Sequence, residues 1–305
     1  MIAFVLSGAG ARGPLQVGAL QALLEAEIMP DFLVGTSAGA INCAYVAARG
    51  LTPEALAGMQ AQWKQASFNT IYPGGLLGAA WRLIRKRSSL YPNDGMRRLI
   101  QDGLPDKVRT FRDLQLPLYV TSVDIMSGRL FLFGEDPRAP VVDAVLASSA
   151  IPAIHPPVDY HGLQLVDGGV LANVAASVAM DKGATQIYAL NASSVREEEG
   201  PIQGVVEVLS ETLSTMMGQS LLEDIARAEL ETTIDLHHVR LRPDEPLNFG
   251  DFSRADKLAL EGYTTMKAYL EAPRPHIVAP RAPRQLDLSE IVPGVRQFMP
   301  SYWLR

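Results

Sequence analysis

The chain has 305 residues, of which 48% are hydrophobic and 20% charged, and this balance excludes a disordered, collagen-like or disulfide-stapled protein. Its single cysteine, Cys43, leaves no intrachain disulfide and no four-cysteine zinc site, which favours a reducing compartment. The net charge of −6 argues against general nucleic-acid binding.

Apolar runs alternate with segments of helical spacing from the first residues onward. Strand Ile2–Ser7 precedes helix Pro14–Glu27, and strand Asp31–Val34 precedes helix Ala38–Ala48. This alternation predicts an α/β fold with a parallel sheet covered by helices. The later predicted strands are Leu118–Asp124, Arg129–Phe133, Leu163–Val166, Gln186–Asn191 and Leu236–Leu241. The later predicted helices are Val141–Ser148, Val174–Lys182, a long one within Val205–Thr232, and Arg254–Leu270.

Two regions break the alternation. Residues 66–117 contain turn signals and a basic cluster, with nine Arg or Lys against three Asp in 81–112, a local charge of +6. Residues 273–305 contain six prolines by Pro300, which predicts an extended strap. We therefore expect one domain over 1–272 with a cap or lid around 66–117, followed by a proline-rich extension.

The N-terminal apolar run lacks both a preceding basic residue and a following cleavage site, so it does not resemble a signal peptide. The longest uncharged stretches, Phe32–Ala48 and Ala66–Trp81, are interrupted by Gly, Ser, Thr or Pro and fall short of a membrane span. We expect a soluble, cytoplasmic protein.

Gly8-Ala9-Gly10-Ala11-Arg12-Gly13 follows a strand and opens a helix, so it matches the G-x-G-x-x-G pattern of dinucleotide-binding loops. That function also needs an acidic residue at the end of the next strand. Here Asp31 lies at the start of the strand and Ser37 follows its end. Dinucleotide binding is therefore the weaker hypothesis. The alternative is that the loop amides face a carbonyl at the carboxyl edge of the sheet.

Gly35-Thr36-Ser37-Ala38-Gly39 matches G-x-S-x-G between a predicted strand and an alanine-rich helix, which is the context of a nucleophile elbow. The flanking Gly35 and Gly39 would avoid side-chain clashes across a sharp turn, while Ser37 accepts strained backbone to expose its hydroxyl. The competing interpretation is an ordinary turn in which Ser37 caps the helix.

The histidines do not offer a clear base for this serine. His237 and His238 fall in a predicted strand and His276 in the proline-rich tail, whereas His155 and His161 are expected to be surface or capping residues. Asp167 is the better candidate, because it ends an apolar strand and precedes Gly168 and Gly169. An ordinary Asp-Gly turn is the alternative.

Taken together, these segments resemble the patatin-like phospholipase family over roughly residues 1–192. The resemblance rests on four blocks in order: Gly8–Gly13, Gly35–Gly39, Ala147-Ser148-Ser149-Ala150-Ile151-Pro152, and Asp167-Gly168-Gly169. Ala9 departs from the usual middle glycine, and Asn173 is followed by Val174 rather than the proline often found soon after it.

The resemblance implies a three-layer fold related to α/β-hydrolases, with a mainly parallel central sheet. It implies a Ser37–Asp167 dyad, an oxyanion hole from the amides of Gly8, Ala9, Gly10, Ala11 and Arg12, and neither metal nor cofactor. Gly13 and the elbow and turn glycines would support this site. The implied activity is hydrolysis of lipid acyl esters, and the alternatives are a catalytically silent lipid-binding protein or a dinucleotide-binding protein.

Partners follow from the same expectations. The substrate would be a lipid or acyl ester, and no nucleic acid is expected. Residues 76–87 are apolar and then cationic with Trp81 at the boundary, so they form either a lid on an anionic membrane or a solvated basic face of a cap helix. The tail from 273 docks either on its own chain or on a partner subunit of a homo-oligomer.

Overall fold

A computed structural model describes residues 1–193, 208, 212, 226–227, 234–247 and 250–274. Its strands are β1 (Ile2–Leu6), β2 (Phe32–Gly35), β3 (Leu118–Asp124), β4 (Arg129–Phe133), β5 (Val158–Tyr160), β6 (Leu163–Asp167), β7 (Gln186–Asn191) and β8 (Asp235–Arg240). Its helices are α1 (Gly13–Glu25), α2 (Ala38–Arg49), α3 (Pro53–Gln65), α4 (Phe68–Ile71), α5 (Gly75–Ile84), α6 (Asp94–Gly103), α7 (Val141–Ser148), α8 (Gly169–Ala172), α9 (Ala176–Asp181) and α10 (Ala255–Glu271).

The strands form one sheet in the order β5-β6-β3-β2-β1-β7-β8, and β4 also pairs with β3. Pairing is parallel from β3 through β2, β1 and β7 to β8. It is antiparallel where β4 and β6 join β3 and where β5 joins β6. The mainly parallel α/β architecture predicted from the alternation of elements is confirmed.

Both faces of the sheet are buried, as alternate residues of β1 show. Phe4 and Leu6 join a large core with α1, α2, α3, α7 and α10. Ala3 and Val5 join a smaller core with α9. Because successive strand residues point to opposite faces, the helices form one layer on each side of the sheet.

Helix α10 packs along α1 through close backbone approach. A Cβ on Gly18 would overlap the carbonyl oxygen of Ala259, and one on Gly262 would overlap the carbonyl oxygen of Leu15. Any larger residue at these two positions would push the helices apart. This contact joins residues 255–271 to the core formed by the N-terminal half of the chain.

Several elements differ from the sequence prediction. The analysis missed α3, although Thr52 caps its N-terminus by accepting a hydrogen bond from Ala55 N at 3.2 Å. Strand β5 was also missed, and the expected cap or lid around 66–117 was given no helix bounds, whereas the chain forms α4, α5 and α6 there. The predicted long helix within Val205–Thr232, and the tail after residue 274, lie outside the described residues.

The register of β3 positions the end of β6. Gly35, the last residue of β2, pairs with Val120, so β3 continues four residues beyond β2. Asp167 pairs with Ser122 within this extension. Asp167 was expected at the C-terminal end of a strand on the Ser37 side of the sheet, and that strand, β6, runs antiparallel to β3. Asp167 reaches the carboxyl edge of the sheet because β3 extends past β2.

Candidate active site

Ser37 occupies a strained turn between β2 and α2, with φ 54° and ψ −124°. A non-glycine residue with positive φ is unfavourable and commonly marks a functional site. The turn is fixed from outside, because Ser37 N donates a hydrogen bond to Ser148 Oγ at 2.8 Å. The N-terminus of α2 begins at the next residue, and its dipole favours negative charge beside the serine.

The two elbow glycines are required by close packing. A Cβ on Gly39 would overlap the carbonyl oxygens of Leu6 and Ser7, and one on Gly35 would come within 2.6 Å of Ala40 Cα. Helix α2 therefore lies directly against the end of β1, and this contact brings Ser37 beside the glycine-rich loop.

Asp167 ends β6 and is only 2% exposed. Its N–H donates to the Ala150 carbonyl at 3.0 Å, and its Oδ1 accepts a hydrogen bond from Gly169 N at 2.8 Å. Gly168 lies so close to Thr121 that a Cβ there would overlap its hydroxyl and carbonyl oxygens. The Asp-Gly-Gly turn thus holds the carboxylate at one position, with one oxygen bound to the backbone.

Burial raises the pKa of Asp167 to about 6, opposed by side-chain hydrogen bonding with Ser37 and by the Gly169 N–H. An aspartate in water has a pKa of about 3.9, so this carboxylate binds a proton more tightly than an exposed one. The predicted serine thus lies near enough to the predicted aspartate to influence its pKa. A carboxylate of this basicity is suited to proton transfer near neutral pH.

The glycine-rich loop presents fewer amides than the sequence analysis expected. Gly8 N donates to the Asn173 carbonyl at 3.3 Å, and Arg12 N donates to the Ala9 carbonyl at 3.0 Å. Within the described part of the chain, the amides of Ala9, Gly10 and Ala11 donate no hydrogen bond. The predicted set of five oxyanion donors is therefore too large, because backbone carbonyls already occupy two of its N–H groups.

Gly10 has φ +54°, a conformation that favours glycine over any other residue. Arg12, which could equally have been a solvated residue at a helix start, is half-buried, and burial lowers the pKa of its guanidinium. The loop thus turns sharply at Gly10 and has a half-buried cationic side chain at its end.

Asn173 joins the loop to the Asp167 turn. A Cβ on Gly8 would overlap Asn173 Oδ1 and would lie 3.3 Å from Ser37 Cβ. The sequence analysis noted Asn173 only for the residue that follows it. Its contact with Gly8 spans more than 160 residues, so nothing local in the sequence predicts it.

A network of buried polar side chains holds the start of the glycine-rich loop in place. Gln16 Nε2 donates to the Ser7 carbonyl at 2.9 Å and to the Leu190 carbonyl at 3.2 Å. Asn42 Nδ2 donates to Gln16 Oε1 at 3.0 Å, and its Oδ1 accepts from Trp63 Nε1 at 2.8 Å. These residues were missed by the sequence analysis, although uncharged polar residues on the apolar helices α1 and α2 were a detectable signal.

Gly13 has a separate packing role beside this network. A Cβ at this position would overlap the indole ring of Trp63. The final glycine of the G-x-G-x-x-G pattern therefore allows α3 to pack against the start of α1.

The histidines do not form a conventional triad here. His237 and His238 lie on β8, as predicted, and His161 is an exposed residue in the turn between β5 and β6. His276 is outside the described residues. The expectation for His155 was wrong: it is buried and stacks on Tyr72 with 5.5 Å between ring centroids. Burial lowers the pKa of His155 to about 4, opposed by the Pro92 carbonyl, so the ring is neutral at neutral pH.

Tyr72, Tyr91 and Phe68 form a cluster of aromatic side chains near Asp167, called the aromatic wall below. Burial raises the pKa of the Tyr72 hydroxyl, and the electrostatic influence of Tyr91 and Asp167 raises it further. Its ring lies 5.3 Å from that of Tyr91 and 5.0 Å from that of Phe68. The region 66–117, which was expected to form a cap or lid, thus supplies the aromatic side chains that surround Tyr72.

Neither a metal centre nor a membrane span is evident in the described ranges. Their His, Cys, Asp and Glu side chains do not gather into a group of three that could hold a metal ion. No helix there combines the length and apolar character that crossing a bilayer requires.

Part of the chain is similar in sequence to patatin-like phospholipase domain-containing proteins and to lysophospholipases. Patatin-like phospholipase domain-containing protein 7 of Mus musculus is 29% identical over 200 residues, covering 65% of this chain and 14% of that protein. Lysophospholipase nte1 of Aspergillus terreus is 27% identical over 301 residues, covering 88% of this chain and 18% of that protein. The chain therefore spans less than a fifth of the length of these curated relatives.

Among solved structures, VipD from Legionella pneumophila is similar with a TM-score of 0.46 at 14% identity, over 88% of this chain and 66% of that one. The family model described as patatin-like phospholipase matches residues 4–180, which is more than half of the sequence. The chain belongs to the patatin-like phospholipase family.

Proposed function

We propose that the protein hydrolyses acyl esters of lipids through a Ser37–Asp167 dyad and an acyl-enzyme intermediate. The observation that carries the proposal is that the Ser37 side chain, on its strained elbow, interacts with a buried Asp167 and lowers its pKa, which burial raises to about 6. Family membership and the lysophospholipase named among the relatives support a lipid ester as the substrate.

The first half of the reaction forms the acyl-enzyme. Asp167 accepts the Ser37 hydroxyl proton while Oγ attacks the ester carbonyl, giving a tetrahedral oxyanion. The intermediate collapses when the carbon–oxygen bond to the alcohol breaks, and the proton on Asp167 passes to the departing alkoxide. In the second half, Asp167 takes a proton from water as the water oxygen attacks the acyl carbon, giving a second tetrahedral oxyanion. Its collapse breaks the bond between that carbon and Ser37 Oγ and releases the fatty acid, and Oγ takes back the proton from Asp167.

The oxyanion would be bound by the N–H groups of Ala9, Gly10 and Ala11, whose hydrogen-bonding capacity is unused within the described chain. Removing one preset donor from such a hole commonly costs about 3–4 kcal/mol of transition-state stabilisation. The Gly8–Asn173 contact keeps this loop beside the Asp167 turn. The donors and the base are therefore held in one rigid unit.

The aromatic residues near the dyad suit an apolar acyl chain. Tyr72 and Tyr91 are buried, whereas Phe68, in contact with both, is 37% exposed. The set thus joins an exposed ring to Tyr72, on whose hydroxyl the charge of Asp167 acts. Large apolar side chains with few polar groups are typical of sites for lipid-like ligands.

The test is hydrolysis of p-nitrophenyl esters and lysophospholipids by the wild type and by Ser37→Ala, with Ser149→Ala as the matched control. Ser149 is also a buried serine, but its hydroxyl has no partner within the described residues. We expect Ser37→Ala to lose turnover and labelling by a fluorophosphonate probe, while Ser149→Ala retains both. Wild-type turnover by Ser37→Ala would overturn the dyad, and an unreactive wild type would favour a lipid-binding protein without turnover.

A further inference from the structure

We infer that helix α5 and the basic turn after it, residues 75–88, form a docking surface for an anionic phospholipid membrane at the entrance to the dyad. The name docking tip is used below for Trp81, Leu83, Ile84, Arg85, Lys86 and Arg87. The inference rests on the proposed function for the identity of the substrate, but binding to the membrane can be measured without turnover.

The docking tip exposes apolar side chains that the fold leaves uncovered. Trp81 is 57% exposed, Leu83 63% and Ile84 74%. Trp81 and Ile84 are three positions apart on the helix and so are neighbours on one face. With Leu83 they gather three large apolar side chains at one helix end, whereas scattered single ones are ordinary on protein surfaces. Ala79, in the middle of the helix, is buried in the core. The end of α5 therefore projects with its apolar residues in solvent.

Charge follows directly after the apolar residues. Arg85, Lys86 and Arg87 are exposed, and residues 68–93 contain no Asp or Glu. The guanidinium of Arg85 lies 4.7 Å from the centre of the Trp81 ring, so a cation sits over the aromatic residue. The whole chain has a net charge of −6, so these cations form a local positive site on an acidic protein. Such a site selects an anionic partner.

Segments that bind at a bilayer interface typically combine Trp, aliphatic and cationic side chains, as the docking tip does. The indole and aliphatic groups enter the boundary between headgroups and acyl chains, while Arg and Lys contact anionic headgroups. A water-soluble anionic ligand would use the cations but would gain nothing from Leu83 and Ile84. The exposed apolar residues therefore favour a membrane as the occupant.

The position of the docking tip connects it to the dyad. The segment leaves the body after Tyr72 and returns at Tyr91, and these two rings are 5.3 Å apart. Its return is fixed by hydrogen bonds from Leu90 N to the Ala153 carbonyl and from Tyr91 N to the Ile154 carbonyl, at 2.8 and 2.9 Å. Both ends thus lie on the aromatic wall near Asp167. In this proposal, a lipid held at the tip enters beside this wall.

Arg82 stabilises the return of the segment instead of joining the tip. Its Nε donates to the Ser89 carbonyl at 3.0 Å and its guanidinium to Ser89 Oγ at 2.9 Å. Ser89 Oγ in turn donates to the Tyr91 carbonyl at 3.0 Å. Hydrogen bonds of Arg82 and Ser89, and not of the exposed cations, therefore hold the tip in place. Its exposed cations can be changed without removing this support.

The test is co-sedimentation with phosphatidylcholine vesicles, with and without phosphatidylserine, using both the wild type and Ser37→Ala. We expect both proteins to bind vesicles that contain phosphatidylserine, to bind pure phosphatidylcholine much less, and to lose binding as salt is raised. The charge variant Arg85→Gln/Lys86→Gln/Arg87→Gln should bind at least about 10-fold more weakly. Its control, Lys107→Gln/Arg109→Gln/Arg112→Gln, removes the same charge from exposed positions elsewhere in the basic region and should bind within about 3-fold of the wild type.

The apolar variant Trp81→Ala/Leu83→Ser/Ile84→Ser should also lose at least about 10-fold in binding, whereas Leu260→Ser, at a leucine 65% exposed on α10, should not. Unchanged thermal unfolding midpoints would show that the variants are folded. Equal binding of both vesicle types, equal binding of tip and control variants, or no binding at all would each overturn the inference. Size-exclusion chromatography covers one further outcome. A dimeric wild type that binds no vesicles, together with a monomeric apolar variant, would also overturn the inference, since it would assign the tip to a second copy of the chain.

This design separates the two proposals. Fluorophosphonate labelling without vesicles tests Ser37 as a nucleophile and does not depend on the tip. Vesicle binding by Ser37→Ala tests the tip and does not depend on turnover. Each proposal can therefore fail while the other stands.

Discussion

The backbone N–H of Ser37 donates a 2.8 Å hydrogen bond to the side chain of Ser148, a residue 111 positions later in the chain. This bond ties the elbow to the C-terminal end of α7. We expect Ser148→Ala to leave the Ser37 N–H unpaired and to lower the free energy of unfolding by about 1–3 kcal/mol, the usual cost of a buried unsatisfied donor. Urea denaturation measures this change.

The same variant should lower kcat for a soluble ester by roughly 10-fold or more, because the strained backbone of Ser37 loses its external support. Ser149→Ala is the comparison. Its hydroxyl has no partner in the described chain, so both stability and turnover should stay close to wild type. Equal effects of the two substitutions would show that the Ser37–Ser148 bond has no special role.

The raised pKa of Asp167 predicts the pH dependence of turnover. The base acts when ionised, so kcat/KM for a soluble ester should fall as pH drops through about 6. The fall should follow one proton, and the labelling rate of Ser37 should show the same midpoint. Circular dichroism over the same range serves as the control for unfolding. A profile that stays flat from about pH 5 to pH 8 would contradict Asp167 as the base.

Asp167→Asn should separate function from stability. Removing the base should lower kcat by about 10²–10⁴-fold. In the folded protein the pKa of Asp167 is about 6, compared with about 3.9 for an unfolded aspartate. The folded state therefore binds the proton more tightly, and stability falls as pH rises from about 4 to about 6.

Because asparagine stays neutral, Asp167→Asn should raise the free energy of unfolding by about 1–3 kcal/mol near pH 7.5. The gain should disappear near about pH 4, where the wild-type carboxyl is also neutral. Urea denaturation at the two pH values measures the difference. A variant less stable than the wild type at both pH values would contradict this account of the buried carboxylate.

The crowding between Gly8 and Asn173 predicts a strong effect of a single methyl group. A Cβ at position 8 would overlap Asn173 Oδ1 and crowd Ser37 Cβ. We expect Gly8→Ala to lower kcat by roughly 10²-fold, because the loop must move away from the serine. Ala9→Gly, which removes a methyl group from the next residue, should change kcat by less than about 3-fold. Similar losses in both variants would indicate a general loss of loop order instead.

The sequence predicted the serine elbow because its signals are local. A strand, the G-x-S-x-G pattern and a helix lie together between Phe32 and Arg49, and steric limits on the turn explain each glycine. The same holds for the order of most strands and helices, whose periodicities can be read within a few residues. The predictions were therefore most accurate for elements whose structure is determined by residues within the same short segment.

The parts that sequence reasoning missed depend on contacts between distant segments. Gly8 N was counted as an oxyanion donor, because nothing near it indicates that the Asn173 carbonyl would accept its hydrogen. His155 was expected at the surface, because its burial depends on Tyr72 from the region left without assigned structure. The antiparallel direction of β6 was missed because a short apolar run has no inherent direction.

The extension of β3 beyond β2 also limits where the chain can change in length. Asp167 faces the serine through its pairing with Ser122, and neighbouring residues of a strand point to opposite sides of the sheet. Deleting one residue within 121–124 would shift that pairing and turn the carboxylate toward the opposite layer. The exposed turn at 125–128 lies outside the register and can change in length without this penalty. Changes in length should thus be harmful within residues 121–124 and tolerated in the adjoining turn, 125–128.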